Sequence, residues 1–356
     1  MLYLIDLESV ESRYTKQWKT HLPTLLRSNG IDVTVIDGPT DIPEATTPGA
    51  FLNFGGTNIY KSAQLEKIAK LICDGEVKDG DYFLYTDAWN PTVIQLKYMA
   101  ELLGIKLRIG GLWHAGSYDP QDFLGRLIGD ASWVRKAEMS MYDCYDDNFF
   151  ATKFHIDLFT NTFWDDDRDI DRQLLHSIRQ VGWPMEYIEE DLSEYKNMAK
   201  EDIIVFPHRI APEKQPEVFD YIAEQMPEYQ FIKCQDLNLT KPEYHTLLGK
   251  AKLVFSANLQ ETLGISVYEG LQVGAIPMVP DRLSYTEMWS DHFKYPSEWT
   301  SSLDATKKNI ENIKAYIRMQ MSKNSDLTWT MNEELRNVEK FYSGSKLIKT
   351  IKENLE

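Results

Sequence analysis

Between Leu253 and Pro280 the chain alternates in a way that few folds accommodate. Leu253, Val254 and Phe255 end a short apolar run of the buried-strand type. Ser256 to Gly264 is a polar loop. From Ile265 onward, Ile265, Tyr268 and Leu271 fall at helical spacing. Gly274 stops that helix, as a residue able to take φ > 0 should. Ile276 to Val279 is a second buried strand, closed by Pro280. A loop entering a helix at the carboxyl end of a parallel strand is the usual ligand position in open α/β sheets. Glu261 and Glu269 bracket this loop and helix start, with seven residues between them. The backbone N–H groups of Leu263, Gly264 and Ile265 are expected to lack partners there and to point at an anion.

The rest of the chain repeats the alternation. Strands are expected at Tyr3–Leu7, Asp32–Asp37, Phe51–Phe54, Tyr82–Tyr85, Lys106–Ile109 and Phe154–Phe159. A helix with Leu22, Leu25 and Leu26 ends near Gly30; others carry Leu65, Ile68 and Ile72, or Val93, Leu96 and Leu103. An amphipathic region runs to about Asn148, and a short strand candidate follows Gly182-Trp183-Pro184. Glu189 to Glu201 is charged with few apolar anchors, so a domain boundary belongs there. Beyond it come strands at Ile203–Phe206 and Tyr229–Lys233, a helix near Pro216, a short helix with His245, and a later one with Ile310, Ile313 and Ile317. The fold class is α/β with two Rossmann-like domains: residues 1–195, residues 196–335, and a tail, 336–356, that returns to the first. Two such sheets facing each other make a cleft, a preferred place for ligands.

A length of 356 residues suits two domains rather than one core. No apolar run approaches the roughly 20 residues of a membrane span. MLYLIDLESVES has no basic n-region and does not read as a signal peptide. Three scattered cysteines suit a reducing, cytoplasmic setting and argue against a Cys-based zinc site. A net charge of −17 argues against broad affinity for nucleic acid, though not against a local basic patch.

The second motif is Pro207-His208-Arg209-Ile210-Ala211-Pro212-Glu213-Lys214, directly after a strand. Its cations and the 255–280 loop leave the same edge of a parallel sheet. Cations and helix N–H groups neutralise phosphates, and carboxylates accept hydrogen bonds from hydroxyls. That set suits a nucleoside-diphosphate sugar. With HRIAPEK followed by SANLQETLGISVYEGLQVGAIP, the second half resembles the carboxyl-terminal domain of retaining GT-B glycosyltransferases of the family 4 type. The firm resemblance covers residues 203–285, and its Gly-x-Pro ending is one residue longer here, as Gly274-Ala275-Ile276-Pro277.

The resemblance implies specific roles. Glu261 faces the donor sugar, Glu269 the nucleotide ribose, and Arg209 and Lys214 the diphosphate, with Thr262, Leu263, Gly264 and Ile265 lining the donor. His114, in Gly111-Leu112-Trp113-His114-Ala115-Gly116, matches an amino-domain histidine near the donor sugar. A Gly-rich loop after the first strand is missing; Glu8 to Ser12 stands there, and Arg13 and Lys16 are alternatives. The donor is expected to be a UDP-sugar, with no permanent cofactor and no metal. Asp165–Asp169 contains D-x-D, but reads as the acidic start of a helix with Leu174 and Leu175. P-loop, zincin and α/β-hydrolase motifs are absent.

The acceptor is open. General character resembles phage enzymes that glycosylate hydroxymethylated bases in DNA, which would place the protein in a host cytoplasm. Asp87, Trp89, Trp113 and Tyr118 would then contact a flipped base. Lys97, Lys106, Arg108, Arg126, Arg135 and Lys136 would hold the duplex. The alternatives are a glycan or small-molecule glycosyltransferase and a non-catalytic sugar-nucleotide-binding protein.

Overall fold

The computed structural model describes residues 1–8, 14–43, 53–163, 177–322 and 327–355. They form two compact units, Met1–Pro184 with Gly344–Glu356, and Met185–Ser343. The expected boundary at 195 and 196 lies inside the second of these. Among the described residues, no helix is long and apolar enough to cross a membrane.

The first unit is a six-stranded sheet: β1 (Leu2–Ile5), β2 (Val33–Ile36), β3 (Tyr82–Tyr85), β4 (Arg108–Leu112), β5 (Asp147–Phe150) and β6 (Ile178–Gln180). The order is β2-β1-β3-β4-β5-β6, and every neighbouring pair is parallel. Every residue of β1 and β3 is buried, as a sheet covered on both faces requires. Helices α1 (Tyr14–Ser28), α2 (Phe54–Cys73), α3 (Thr92–Leu103), α4 (Phe123–Ile128), α5 (Ser132–Cys144) and α6 (Lys153–Phe163) make the crossovers. The last helix, Ser345–Leu355, also belongs here; Asn354 donates to Asp147 at 2.9 Å.

One expected strand is helical, and another runs into the start of a helix. Phe54 opens α2, because the Asn53 side chain accepts from Gly56 N and caps it; Phe51 and Leu52 lie outside the described residues. Phe154–Phe159 is part of α6, and the strand of that region is β5, a few residues earlier. The reason is chemical. Strand β5 begins with two polar residues, Asp147 and Asn148, both fully buried. Arg108 donates to both Asp147 oxygens, at 2.9 and 3.1 Å, and the Tyr82 hydroxyl donates at 3.0 Å. The Trp113 indole N–H donates to Asn148 at 2.7 Å. Satisfied this way, the pair stays in the sheet while breaking the apolar run that marks a strand. The short segment after Pro184, read as a strand candidate, holds helix α7 (Tyr187–Asp191) instead.

The second unit is a five-stranded parallel sheet: β7 (Glu201–Phe206), β8 (Gln230–Lys233), β9 (Ala251–Phe255), β10 (Ile276–Pro280) and β11 (Lys294–Tyr295). Its order is β11-β10-β9-β7-β8. From β7 the chain moves outward to β8, then returns to the other side of β7 at β9. The order therefore reverses between β7 and β9, and the loops after these two strands flank the crevice where open α/β sheets bind ligands. Helices α8 (Pro216–Gln225), α9 (Lys241–Lys250) and α10 (Ile265–Gln272) connect the strands. Phe206, Phe219, Phe255, Met278, Tyr295, Ile313 and Ile317 form the core beneath them.

Helix α10 sits tight on β9. A Cβ at Gly270 would lie 2.3 Å from Val254 Cγ2 and 3.2 Å from Val254 Cβ. Alanine at an ordinary helical glycine gains roughly 1 kcal/mol, but overpacking here costs about 1–3 kcal/mol. Gly270→Ala is therefore expected to lower unfolding stability by about 1 kcal/mol in urea melts, net of that propensity gain. Adding Val254→Ala should make the glycine substitution neutral or favourable. An alanine tolerated beside an intact Val254 would show that the helix is not in close contact.

Candidate functional site

The loop after β7 turns sharply. Pro212–Lys214 is one turn of 3-10 helix, and Gln215 takes φ 53°, a left-handed value unusual for a side chain of this kind. Its amide holds it there, donating to Ala257 O at 2.6 Å and Thr300 O at 2.7 Å. Leu259 N donates to Glu213 O at 2.8 Å. The loops after β7 and β9 are thus laced together, which brings Lys214 against Glu261. The buried ammonium donates to Gln260 O at 2.6 Å and lies 3.4 Å from Glu261 Oε2.

Glu261 is surrounded by donors. Its Oε1 accepts from Thr262 N at 3.1 Å and Leu263 N at 3.3 Å, and its Oε2 from Asn258 Nδ2 at 3.2 Å. Burial pushes its pKa up, but Lys214 and the N–H groups of Gly264 and Leu263 outweigh this and hold it at about 2. It is a carboxylate at any ordinary pH. The Leu263 N–H, expected to lack a partner, is taken by Glu261 itself. Helix α10 starts at Gly264, whose φ of 78° requires glycine; a Cβ there would also meet Tyr285 at 2.9 Å.

His208 is buried beside this pair. Burial and the Lys214 charge push it down to about 3, so it is a neutral imidazole, with Nδ1 3.4 Å from Ser266 Oγ. Arg209 is half-exposed and paired with the buried carboxylate of Glu213.

Glu269 lies further along α10 and has the opposite electrostatics. Burial raises its pKa to about 7, with Asp191 adding to the rise, against a hydrogen bond from Tyr244 at 2.9 Å and the charge of Lys241.

Several supporting residues carry no motif. Arg282 donates to Ala257 O and Asn258 O at 2.7 Å, and to Ser297 O at 2.8 Å. Tyr285 reaches Ser256 Oγ at 3.0 Å and receives Asn258 Nδ2 at 3.2 Å. These side chains fix the course of the loop from well downstream. The one signal in the sequence is an arginine two residues after the strand closed by Pro280.

The first unit treats its candidates differently. His114 Nε2 lies 2.6 Å from Thr86 O and must be the donor, since a carbonyl only accepts. Its Nδ1 lies 2.7 Å from the Tyr14 hydroxyl, and its ring packs against Trp18 and Trp183. Both nitrogens are engaged, so the ring is fixed in place. Trp113 and Tyr118, expected to stack on an acceptor, are buried in the aromatic core; the Tyr118 hydroxyl bonds His155 at 2.6 Å. Neither offers a face to a ligand.

Asp87 and Trp89 follow β3, beside the point where strand order reverses between β1 and β3. Trp89 is half-buried; its N–H donates to the buried Glu138 at 2.9 Å, and Lys61 donates to its carbonyl at 3.0 Å. Of the expected basic patch, Arg108 is committed to Asp147, Arg135 to Glu138 at 3.1 Å, Arg126 to Gln121 O at 2.6 Å, and Lys97 to Glu101 at 3.6 Å. Lys16 is exposed on α1; Arg13 and the D-x-D stretch lie outside the described residues.

No protein-family model matches the chain, and no curated protein matches it by sequence. Solved structures do match by fold. The catalytic domain of starch synthase IV from Arabidopsis thaliana, bound to ADP and acarbose, superposes with a TM-score of 0.60 at 11% identity, covering 99% of this chain and 98% of that one. Sucrose-phosphate synthase from Thermosynechococcus elongatus gives 0.57 at 11%, covering 99% and 97%. WaaG, a glycosyltransferase involved in lipopolysaccharide biosynthesis, gives 0.58 at 10%, covering 99% of each. The fold is that of the GT-B glycosyltransferases.

The state of Glu269 makes stability depend on pH. Its folded pKa, about 7, lies above its ordinary value of 4.5. Its contribution is therefore fully present below the ordinary value and is lost as pH rises through 7. Urea unfolding of the wild type and Glu269→Gln at pH 4.5, 6 and 8 should show the wild type losing up to about 3 kcal/mol relative to the variant. A difference independent of pH would mean that this carboxyl titrates normally.

Proposed function

We propose that this protein is a glycosyltransferase that moves a sugar from a nucleoside-diphosphate sugar to an acceptor hydroxyl. The observation that carries this reading is the meeting of Lys214 with ionised Glu261 before the start of α10, with Arg209 on the same loop as Lys214, where strand order reverses. In this reading Lys214 and Arg209 take the diphosphate, with the N–H groups at the start of α10. Glu261, which can only accept, orients sugar hydroxyls. Glu269 faces the ribose. Thr262, Leu263, Gly264 and Ile265 line the donor. A UDP-sugar donor and retention of configuration follow the sequence resemblance.

The chemistry is a substitution at the anomeric carbon. Its bond to the diphosphate oxygen breaks, and the electron pair leaves with the phosphate. The acceptor oxygen bonds to that carbon, and its proton passes to the leaving phosphate. The charge that grows on the leaving group is what the two cations stabilise. His114 has no free nitrogen for a part in this step and is left out of it.

A glycan or small-molecule acceptor fits better than a hydroxymethylated base in DNA. Two of the aromatic residues expected to stack on a base are core residues. Asp87 and Trp89 remain the acceptor candidates.

Donor hydrolysis and transfer assays test this directly, with UDP- and ADP-sugars against glycan, small-molecule and hydroxymethylated-DNA acceptors. Lys214→Ala and Glu261→Ala should each lower turnover by about 100-fold or more, the effect of removing one preorganised transition-state contact. Arg209→Ala should cost less, about tenfold, because its guanidinium is half-exposed. Turnover unchanged in all three variants would sink the assignment. Transfer to DNA with a steep salt dependence would restore the base acceptor.

A further inference from the structure

Tyr342 is far in sequence from the donor loop and touches it directly. Its hydroxyl donates to Leu263 O at 2.7 Å and also lies 3.2 Å from Gly264 O. Its ring stacks on Tyr268 of α10, with centroids 3.7 Å apart and planes 6° from parallel. The side chain is 2% exposed. Burial raises the phenol well above its ordinary range, so the O–H remains a donor at all working pH values.

Peptide planarity turns this contact into an orientation. In a trans peptide the C=O and the following N–H point in opposite directions. Drawing Leu263 O toward Tyr342 therefore turns Gly264 N–H away from it, to the side of Glu261, which that N–H helps to hold ionised. Gly264 O is drawn the same way and also accepts from Val267 N and Tyr268 N, so Ile265 N–H points out of the helix start. Gly264 is left-handed and Ile265 is helical. Successive N–H groups in that pair of conformations form an anion-binding concavity.

We propose that Tyr342 is a positioning residue of the donor site: its hydroxyl fixes the Leu263–Gly264 peptide so that the Gly264 N–H holds Glu261 in place and the Ile265 N–H faces the donor diphosphate. This rests on the function proposed above. Tyr342 touches no reacting atom; it acts through the backbone of the loop.

Tyr342→Phe keeps the stacked ring and removes only the hydroxyl. Titration calorimetry with UDP and ADP, and with inorganic pyrophosphate as a probe lacking any base, reads the anion contact. The variant should bind the preferred nucleoside diphosphate and pyrophosphate about threefold to tenfold more weakly, the effect of one hydrogen bond. Donor KM should rise or kcat should fall while acceptor KM stays at its wild-type value. Wild-type affinities in the variant would overturn the proposal. So would a lowered Tm with equal losses for donor and acceptor, which marks general loosening. Wild-type protein that binds neither nucleotide would defeat the functional reading itself and this proposal with it, and that result is visible before any variant is made.

Discussion

Everything at the candidate site depends on the ammonium of Lys214 lying 3.4 Å from the carboxylate of Glu261, mostly out of water. Such a pair does not stabilise a fold by itself, since removing two charges from water costs several kcal/mol per ion. Here the cost is offset by a shell of further donors. Thr262 N, Leu263 N and Asn258 Nδ2 complete the carboxylate, and Gln260 O takes the ammonium. The pair is therefore inseparable from the loop geometry. Arg282 and Gln215 hold the backbone that supplies the donors, and the donors keep the carboxylate ionised. Loss of either charge would leave the other buried without compensation, which is the expensive case.

Two glutamates eight positions apart end in opposite states. Glu261 sits beside the Lys214 ammonium and among N–H groups and is held at about 2; Glu269 is half-buried, accepts from the Tyr244 phenol and rises to about 7. Spacing alone makes them look equivalent. Their difference comes from which elements pack against each: the loop after β7 against the first, and α9, through Tyr244, against the second. One is fit to orient hydroxyl groups as a fixed acceptor. The other can change between donor and acceptor near neutral pH.

The parallel architecture was legible because strands buried on both faces are short continuous apolar runs, as at Ile203–Phe206, Leu253–Phe255 and Ile276–Val279. It failed where burial and polarity part company. Asp147 and Asn148 are interior strand residues satisfied by Arg108, Tyr82 and Trp113, and no local pattern announces such partners. In the site, the glutamate spacing and the Arg209–Lys214 loop were legible because they lie on the connections themselves. Arg282, Tyr285 and Tyr342 were not, since each acts on a loop distant in sequence through backbone carbonyls or a single hydroxyl. The same limit explains Trp113 and Tyr118: an aromatic in a glycine-containing loop after a strand can face outward or inward, and here a buried asparagine and a buried histidine draw both inward.

An identity of 11% over 99% of the chain with a TM-score of 0.60 means that the backbone course persists while about nine residues in ten differ. What such a backbone demands of a sequence is narrow. It needs apolar strands, a glycine where α10 starts at φ 78°, and no Cβ where that helix lies on Val254. It does not demand a particular brace for the loop. Tyr342 stacked on Tyr268, and Arg282 spanning Ala257, Asn258 and Ser297, form one solution to holding two peptide planes still. A carbonyl accepts equally well from a phenol or a guanidinium, so these braces can be exchanged without moving the strands. The parts that set peptide orientation are therefore the parts that a family-wide sequence pattern is least able to specify.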